Sequence, residues 1–135
     1  MQKRLISFAG ISGAIAVALG AMGAHYLKSK FASGEISAAE LQAFETAAKY
    51  QMYHSIALLV IALSIDKLNS KFIYKGAYCF MAGIVLFSGS LYILSTANLL
   101  GLSSVRWLGP ITPIGGLFFI TGWLLLAFSA VKKEN

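Results

Sequence analysis

The chain has 135 residues, of which 58% are hydrophobic and only 12% are charged, and its formal net charge is +6. This length accommodates one domain, residues 1–135, and leaves no room for a separate water-soluble domain. The basic residues stand singly or in short pairs between apolar stretches and form no basic helix face, so nucleic acid is not an expected partner. The composition indicates that the main partner is the lipid bilayer.

Four stretches contain no Asp, Glu, Lys or Arg: 5–27, 50–65, 76–102 and 107–131. A helix needs roughly 20 residues to cross the hydrocarbon core of a bilayer, and the second stretch reaches that length when residues 44–49 join it. In these stretches a helix would be apolar on every face, whereas lipid-facing strands alternate apolar and polar residues with period two. The sequence therefore predicts an all-α membrane protein, a four-transmembrane-helix bundle with spans at about 5–27, 44–65, 76–98 and 110–131.

The basic residues also predict a topology. Seven Lys and Arg residues lie in the amino-terminal segment, the second loop and the carboxy-terminal tail, against four in the first and third loops. Cytoplasmic loops carry the excess of Lys and Arg in multi-pass proteins. We therefore expect the N and C termini inside and loops one and three outside.

The first span ends with a histidine. His25 follows Ala14, Ala18, Ala21 and Met22 on one helix face, and small residues at this spacing let another helix approach closely. We expect this face, with His25 at its outer end, to point into the bundle.

The first loop is long enough to contain structure of its own. Gly34 breaks the chain, Ser37 and Glu40 have the spacing of a capping box, and Leu41 and Phe44 follow at helical spacing. This pattern predicts a short extra helix in the first outward-facing loop, beginning near Ser37.

The fourth span opens on a Pro- and Gly-rich segment. Thr112 is a suitable N-cap and Pro113 a suitable first helical residue, because proline lacks only an amide that has no helical partner there. Gly115 and Gly116 then permit close approach of another backbone. Packing explains these residues without a substrate.

Polar side chains from all four helices converge in the outer half of the predicted bundle. Tyr50, Gln51 and His54 share one face of the second helix, and Ser88, Tyr92 and Ser95 share one face of the third. The complete candidate set for a polar pocket or a structural network is His25, Tyr50, Gln51, His54, Ser88, Tyr92, Ser95 and Thr112. Polar groups at membrane depth serve either as hydrogen bonds between helices or as a ligand site.

The same set argues against several kinds of chemistry. His25 and His54 are the only two histidines and the only imidazole ligands available, and no carboxylate or thiol joins them at metal-ligand spacing. No nucleophile with an adjacent base is visible. We therefore predict no cofactor, no metal site beyond that histidine pair, and no catalytic residues.

Four ordered motifs are familiar: Gly20-Ala21-Met22-Gly23-Ala24-His25, Tyr50-Gln51-Met52-Tyr53-His54, Phe87-Ser88-Gly89-Ser90-Leu91-Tyr92, and the segment 109–116 with Gly122-Trp123. With them the chain resembles, over essentially its whole length, a bacterial family of small membrane proteins catalogued as domain of unknown function 423. That family is similar to the eukaryotic transmembrane protein 256. The resemblance implies a multi-pass protein of the bacterial cytoplasmic membrane and supplies no catalytic residues.

Three functional hypotheses follow. The first is an accessory or scaffold protein that packs its helices against another membrane protein. A homo-oligomer is a separate alternative to such a membrane-protein partner. The second is a protein that binds or transports a small molecule or lipid headgroup in an outward-facing pocket around His25 and His54. The third is a metal or haem protein that uses these two histidines as ligands.

Overall fold

The computed structural model describes residues 1–68, 70–102 and 104–130. Within these ranges every regular element is helical, and four long helices follow one another. Helix α1 comprises Gln2–Met22, a π-helical turn at Gly23–Leu27 and Lys28–Ala32. Helix α2 is Ala38–Ser64, and helix α3 comprises Ser70–Gly83, a π-helical turn at Ile84–Ser88 and Gly89–Thr96. Helix α4, Ile111–Ser129, follows a 3₁₀ turn at Arg106–Leu108.

Three helical segments are long and apolar enough to cross a membrane: Gln2–Ala32, Lys71–Thr96 and Arg106–Ser129. Helix α2 has 27 residues and is long enough as well, but Glu40, Glu45 and Lys49 make its first half more polar. The all-α architecture with four helices is confirmed, whereas the crossing of the membrane by α2 and the side on which the termini lie stay predictions. Residue 131, the end of the predicted fourth span, lies outside the described residues.

The predicted capping box starts helix α2. The Glu40 amide donates to the Ser37 hydroxyl oxygen over 3.2 Å, and the Ser37 amide donates to the Glu40 carboxylate over 2.7 Å. Gly34, at φ +78°, makes the preceding turn. The prediction of a separate short helix in the loop is wrong, because the helix that starts here continues without a break to Ser64.

The start of α4 also differs from prediction. Its N-cap is Pro110, and Thr112 is its second residue. Pro113 is therefore the third residue, where it still lacks only an amide that has no partner within the helix. The Thr112 hydroxyl instead contacts the Ser90 hydroxyl of α3, with 2.6 Å between the oxygens.

The helices pack chiefly as two neighbouring pairs, α1 with α2 and α3 with α4, and α2 joins the pairs by packing on α3. Glycines bring α3 and α4 close together. A Cβ atom on Gly115 would lie 2.3 Å from the Phe87 backbone nitrogen, and one on Gly83 would lie 2.4 Å from the Phe119 ring. Both contacts are closer than carbon can approach, so the pair depends on these glycines.

Two apolar clusters fill the bundle. The larger draws on all four helices and includes Leu58, Ile61, Ile73 and Phe80, none of which is measurably exposed. The smaller, of Leu27, Ile36 and Phe44, lies where α1 and α2 are joined. The polar side chains discussed below lie between them along α2.

Candidate functional site

The first polar group ties α1, α2 and α3 together around Gln51. The Gln51 amide nitrogen donates to the Ser12 main-chain carbonyl over 3.0 Å, and its amide oxygen accepts from the Tyr92 hydroxyl over 2.8 Å. The Ser55 hydroxyl oxygen lies 2.7 Å from the Ser12 hydroxyl oxygen and 2.7 Å from the Gln51 carbonyl oxygen. We call Ser12, Gln51, Ser55 and Tyr92 the Gln51 cluster.

The Gln51 cluster is closed on itself. Ser12, Gln51 and Ser55 are at most 5% exposed, and both ends of the Gln51 amide already have partners. Tyr92 is held further by an edge contact with Phe44, with 4.9 Å between ring centroids. Such bonds connect helices where the alternative is an unpaired polar group, and both the nitrogen and the oxygen of the Gln51 amide are used in this way.

The second polar group is built on His54, one helical turn further along α2. The His54 Nδ1 atom lies 2.7 Å from the Tyr50 main-chain oxygen, and its Nε2 atom lies 3.1 Å from the indole nitrogen of Trp123. A carbonyl oxygen only accepts and an indole N–H only donates. His54 is therefore neutral, with its proton on Nδ1 and its lone pair on Nε2 facing Trp123.

Aromatic rings enclose this imidazole. The Phe119 ring stacks on it with 3.5 Å between centroids and 9° between planes, and Phe80 lies at 5.2 Å. Tyr50 and Trp123 complete the surround, each with its centroid 6.0 Å away. We call His54, Tyr50, Phe80, Phe119 and Trp123 the His54 cluster. These contacts join α2, α3 and α4.

Glycines decide where two of these rings can lie. A Cβ atom on Gly83 would strike the Phe119 ring at 2.4 Å, and one on Gly122 would strike the Phe80 ring at 2.5 Å. The missing side chains therefore leave the spaces that the two rings fill against His54. Gly83 and Gly122 therefore affect the imidazole only by determining where the Phe119 and Phe80 rings lie.

A cleft of about 530 Å³ opens beside the His54 cluster. Its walls come from α2, α3 and α4, and they are aromatic except for a glycine and an isoleucine. The lining residues are Tyr50, Tyr53, His54, Phe87, Gly116, Phe119, Ile120 and Trp123. Tyr53, Ile120 and Trp123 are exposed, so the cleft opens on the side of the bundle.

Three further predicted residues belong to neither cluster. The Ser95 hydroxyl donates to main-chain oxygens of its own helix, 2.6 Å from Leu91 and 3.1 Å from Tyr92. Thr112 pairs with Ser90, as described above. The Ser88 hydroxyl, 1% exposed in the π-helical turn of α3, has no hydrogen-bond partner among the described residues.

The predicted inward orientation of His25 is wrong. Gly23 and Leu27 are buried against α2, and His25 lies two residues from each, about half a helical turn away, on the exposed side. The small residues that predicted this face, Ala14, Ala18 and Ala21, are also exposed. The small-residue spacing therefore marks a face that lies outside the bundle, and the packing of another helix on it stays a prediction.

The proposed histidine ligands are not joined. Both ring nitrogens of His54 take part in hydrogen bonds within the bundle, and none of its contacts given above involves His25. Across residues 1–68, 70–102 and 104–130, no three His, Cys, Asp or Glu side chains come close enough to hold a metal ion.

Sequence reasoning missed Ser12, Ser55 and Trp123. The two serines stand among small apolar residues, and a lone hydroxyl in a helix usually bonds to its own backbone. For Trp123 the sequence did contain a signal of a polar contact. Tryptophan prefers the membrane interfaces, whereas this one stands well inside the fourth span. An indole at that position needs an acceptor nearby.

The apolar helices, joined by polar clusters, define a small helical membrane protein. Residues 19–116 match the family described as "Protein of unknown function (DUF423)", and the chain belongs to that family. It is 41% identical over 132 residues to the UPF0382 membrane protein YwdK of Bacillus subtilis, covering 97% of this chain and 98% of the relative. It is 38% identical over 134 residues to the UPF0382 inner membrane protein YgdD of Escherichia coli K12, covering 99% and 94%. No solved structure matches the chain significantly.

Proposed function

We propose that this protein is an accessory or scaffold protein whose helix α1 packs against a helix of another membrane protein. One observation carries the proposal: the face of α1 that is built for close packing points away from its own bundle. Gly10, Ala14, Ala18 and Ala21 are exposed along it. In lipid, apolar surface alone does not drive helices together, whereas small residues do so by letting backbones approach.

This face of α1 forms one wall of a groove in which a helix can pack. A groove of about 240 Å³ runs between α1 and α2, with Gly10, Gly13 and Ala14 at its floor and aliphatic side chains such as Ile56 and Leu59 along α2. A Cβ atom on Gly10 or Gly13 would meet nothing within 4 Å. Packing within this bundle therefore does not explain why either residue is glycine.

The groove also has a rigid base. Ser55 lines it and is bonded across to Ser12 of α1, and Gln51 holds the same two helices one turn away. A preformed surface loses less conformational entropy on binding than a mobile one. The Gln51 cluster thereby supports a packing role by holding the two walls of the groove together.

The proposal includes a topology with four membrane crossings and both termini on the cytoplasmic side. The excess of Lys and Arg in the segments predicted to be inside supports it. Single cysteines introduced at Gly34 and Lys67 in a Cys79→Ala background test it in intact cells. A membrane-impermeant maleimide should label position 34 and not position 67, and the reverse pattern would contradict the topology.

Site-specific photo-cross-linking in native membranes tests the packing role. A benzophenone amino acid at Val17, 61% exposed on the α1 face, is compared with one at Leu117, 62% exposed on α4. We expect one defined membrane-protein adduct from position 17 and not from position 117. Ala14→Leu, which fills the groove, should abolish it.

Three outcomes would overturn the packing role. They are equal adducts from both positions, an adduct that survives Ala14→Leu, and an adduct that contains only a second copy of this chain. The last would replace the accessory role with self-association.

A further inference from the structure

We propose that the cleft beside the His54 cluster binds a lipid-soluble molecule with a flat conjugated ring that carries a hydrogen-bond-accepting oxygen. This site is distinct from the α1 face and goes beyond the packing role. It also differs from the pocket expected around His25 and His54, since His25, Gln51 and Tyr92 do not line it. Ligand size, ring shape and polar chemistry each follow from a different feature of the cleft.

The size suits one small molecule. Ligand sites typically enclose about 300–1,000 Å³ and combine apolar walls with a few polar groups, and this cleft measures about 530 Å³. It opens sideways, between α2 and α4, where the exposed Ile120 and Trp123 lie at its edge. Because α4 is apolar enough to cross a membrane, the opening faces lipid, and a ligand enters from the bilayer.

The walls favour a flat ring over an acyl chain. Five of the eight lining residues are Phe, Tyr or Trp. A site for a lipid tail does not need aromatic walls, because Leu, Ile and Val side chains would hold an acyl chain equally well. The rings are already packed on one another, Tyr50 on Phe87 at 4.9 Å and Phe87 on Phe119 at 5.5 Å. Aromatic pairs at such distances gain energy beyond area burial, and a ligand ring extends the same stack.

The polar groups specify an acceptor. The Tyr50 and Tyr53 hydroxyls form no hydrogen bond with any other described side chain or backbone group, in contrast to the Tyr92 hydroxyl. His54 and Trp123 use their facing nitrogens on each other. Tyr50 and Tyr53 both line the cleft, so their hydroxyls are the donors that it can offer to a ligand. A carbonyl-type oxygen on the ligand ring has two lone pairs and accepts from both hydroxyls.

Gly116 provides the means to close the cleft. The nearest atoms to a Cβ there are those of the Phe87 ring, at 3.8 and 3.9 Å, which is ordinary contact. A leucine at this position therefore extends into the cleft without displacing backbone. Gly89→Leu is the matched control, because that glycine has nothing within 4 Å of its Cβ position and does not line the cleft.

Trp123 fluorescence reports occupancy. Trp107, the second tryptophan, is 65% exposed in the turn before α4, and Trp107→Phe leaves Trp123 as the single emitter. The full chain is reconstituted in dioleoylphosphatidylcholine vesicles and titrated with decylubiquinone, a quinone with a short tail. Dissolved quinone quenches linearly with concentration, so binding is expected as an additional saturable component.

Gly116→Leu should weaken the saturable component at least tenfold, and Gly89→Leu should leave it unchanged. Tyr50→Phe and Tyr53→Phe should each weaken it about two- to tenfold, the range for loss of one hydrogen bond. Circular dichroism of each variant verifies that the helices are intact.

Purely linear quenching in the parent protein would overturn the proposal, as would a saturable component that persists in Gly116→Leu. Quenching of Trp123 by brominated acyl chains that quinone does not relieve would assign the cleft to ordinary lipid and would overturn it as well. None of these results depends on whether a partner binds α1.

Discussion

The Gln51 and His54 clusters start one helical turn apart on α2, yet they differ in what they leave available. Gln51 is bonded on both sides of its amide to α1 and α3, and Ser12 and Ser55 beside it are buried. His54 is also bonded at both ring nitrogens, but it stands beside a cleft lined by Tyr50 and Tyr53, whose hydroxyls have no partner within the described part of the chain. This difference is the basis for proposing a structural role for the first cluster and a binding role for the cleft beside the second.

The difference arises from the helices that α2 meets. On the side of Gln51, α1 and α3 bring a main-chain carbonyl and a phenol to the amide, and a smaller cavity of about 180 Å³ remains there, lined by Ser12 and Gln51 among apolar side chains. On the side of His54, α3 and α4 bring large rings that rest in the spaces above Gly83 and Gly122. These rings leave a cleft of about 530 Å³ beside the imidazole, with Tyr50 and Trp123 among its lining residues.

The seam between α3 and α4 should show the largest effect. In Gly115→Ala the new methyl group would lie 2.3 Å from the Phe87 backbone nitrogen, so the two helices must separate. We expect a loss of about 3 kcal/mol in the free energy of unfolding, measured by detergent titration in mixed micelles. The adjacent Gly116→Ala makes only ordinary contacts and should change it by less than about 1 kcal/mol. Equal losses in the two variants would show that the seam is not tightly packed.

The Gln51 cluster should contribute stability without affecting the cleft. Gln51→Met preserves side-chain length and removes the links to both Ser12 and Tyr92. Bonds between membrane helices contribute about 0.6 kcal/mol on average and up to about 1.7, so we expect a loss of about 1–2 kcal/mol in the same titration. Ser95→Ala, which removes bonds to its own helix only, should cost less than about 0.5 kcal/mol. If Gln51→Met also changed quinone quenching of Trp123, the two clusters would be coupled.

The bond between His54 and Trp123 should show a smaller effect. A double-mutant cycle of His54→Phe and Trp123→Phe preserves aromatic rings at both positions and isolates this bond. We expect a coupling energy of about 0.6–1.7 kcal/mol. Nitrogen-15 spectra of the imidazole provide an independent measurement, with a protonated Nδ1 and an unprotonated Nε2. A proton on Nε2 would contradict the assigned hydrogen bond.

The smallest effect belongs to a polar contact outside the predicted spans, at the start of α2. The Ser37 backbone amide holds the pKa of Glu40 below its usual value of 4.5, and the Ser37 and Asn98 side chains act in the same direction. Because the pKa is lower in the folded state, this stabilisation is present above pH 4.5 and is lost as pH falls through the folded-state value.

Thermal unfolding of the Glu40→Gln variant at neutral and acidic pH measures that contribution. Glutamine retains the capping box, so the variant should lose less stability than the parent when the pH is lowered from 7 to about 3, by at most about 1 kcal/mol. An equal loss of stability in both proteins on acidification would show that the charge of the Glu40 carboxylate contributes nothing beyond the capping box.

Much of the fold was predictable from short patterns. The capping box started α2 at the expected residue, and the four uncharged stretches located the four helices. The extra helix was predicted separately only because local signals mark where a helix begins and do not show that it continues. Thr112 was assigned as a cap because its type suits one, whereas the hydroxyl of Ser90, 22 residues away in the chain, determines its actual role.

The sequence by itself determined the helical content, the membrane environment and the inventory of polar side chains, because hydrophobicity and capping act over a few residues. The tertiary structure decided which of those side chains meet. It turned His25 outward because Gly23 and Leu27 occupy the contact with α2, and it joined His54 to Trp123, 69 residues away. A helical face is the same pattern whether it packs inward or outward, and only the placement of the neighbouring helices distinguishes the two.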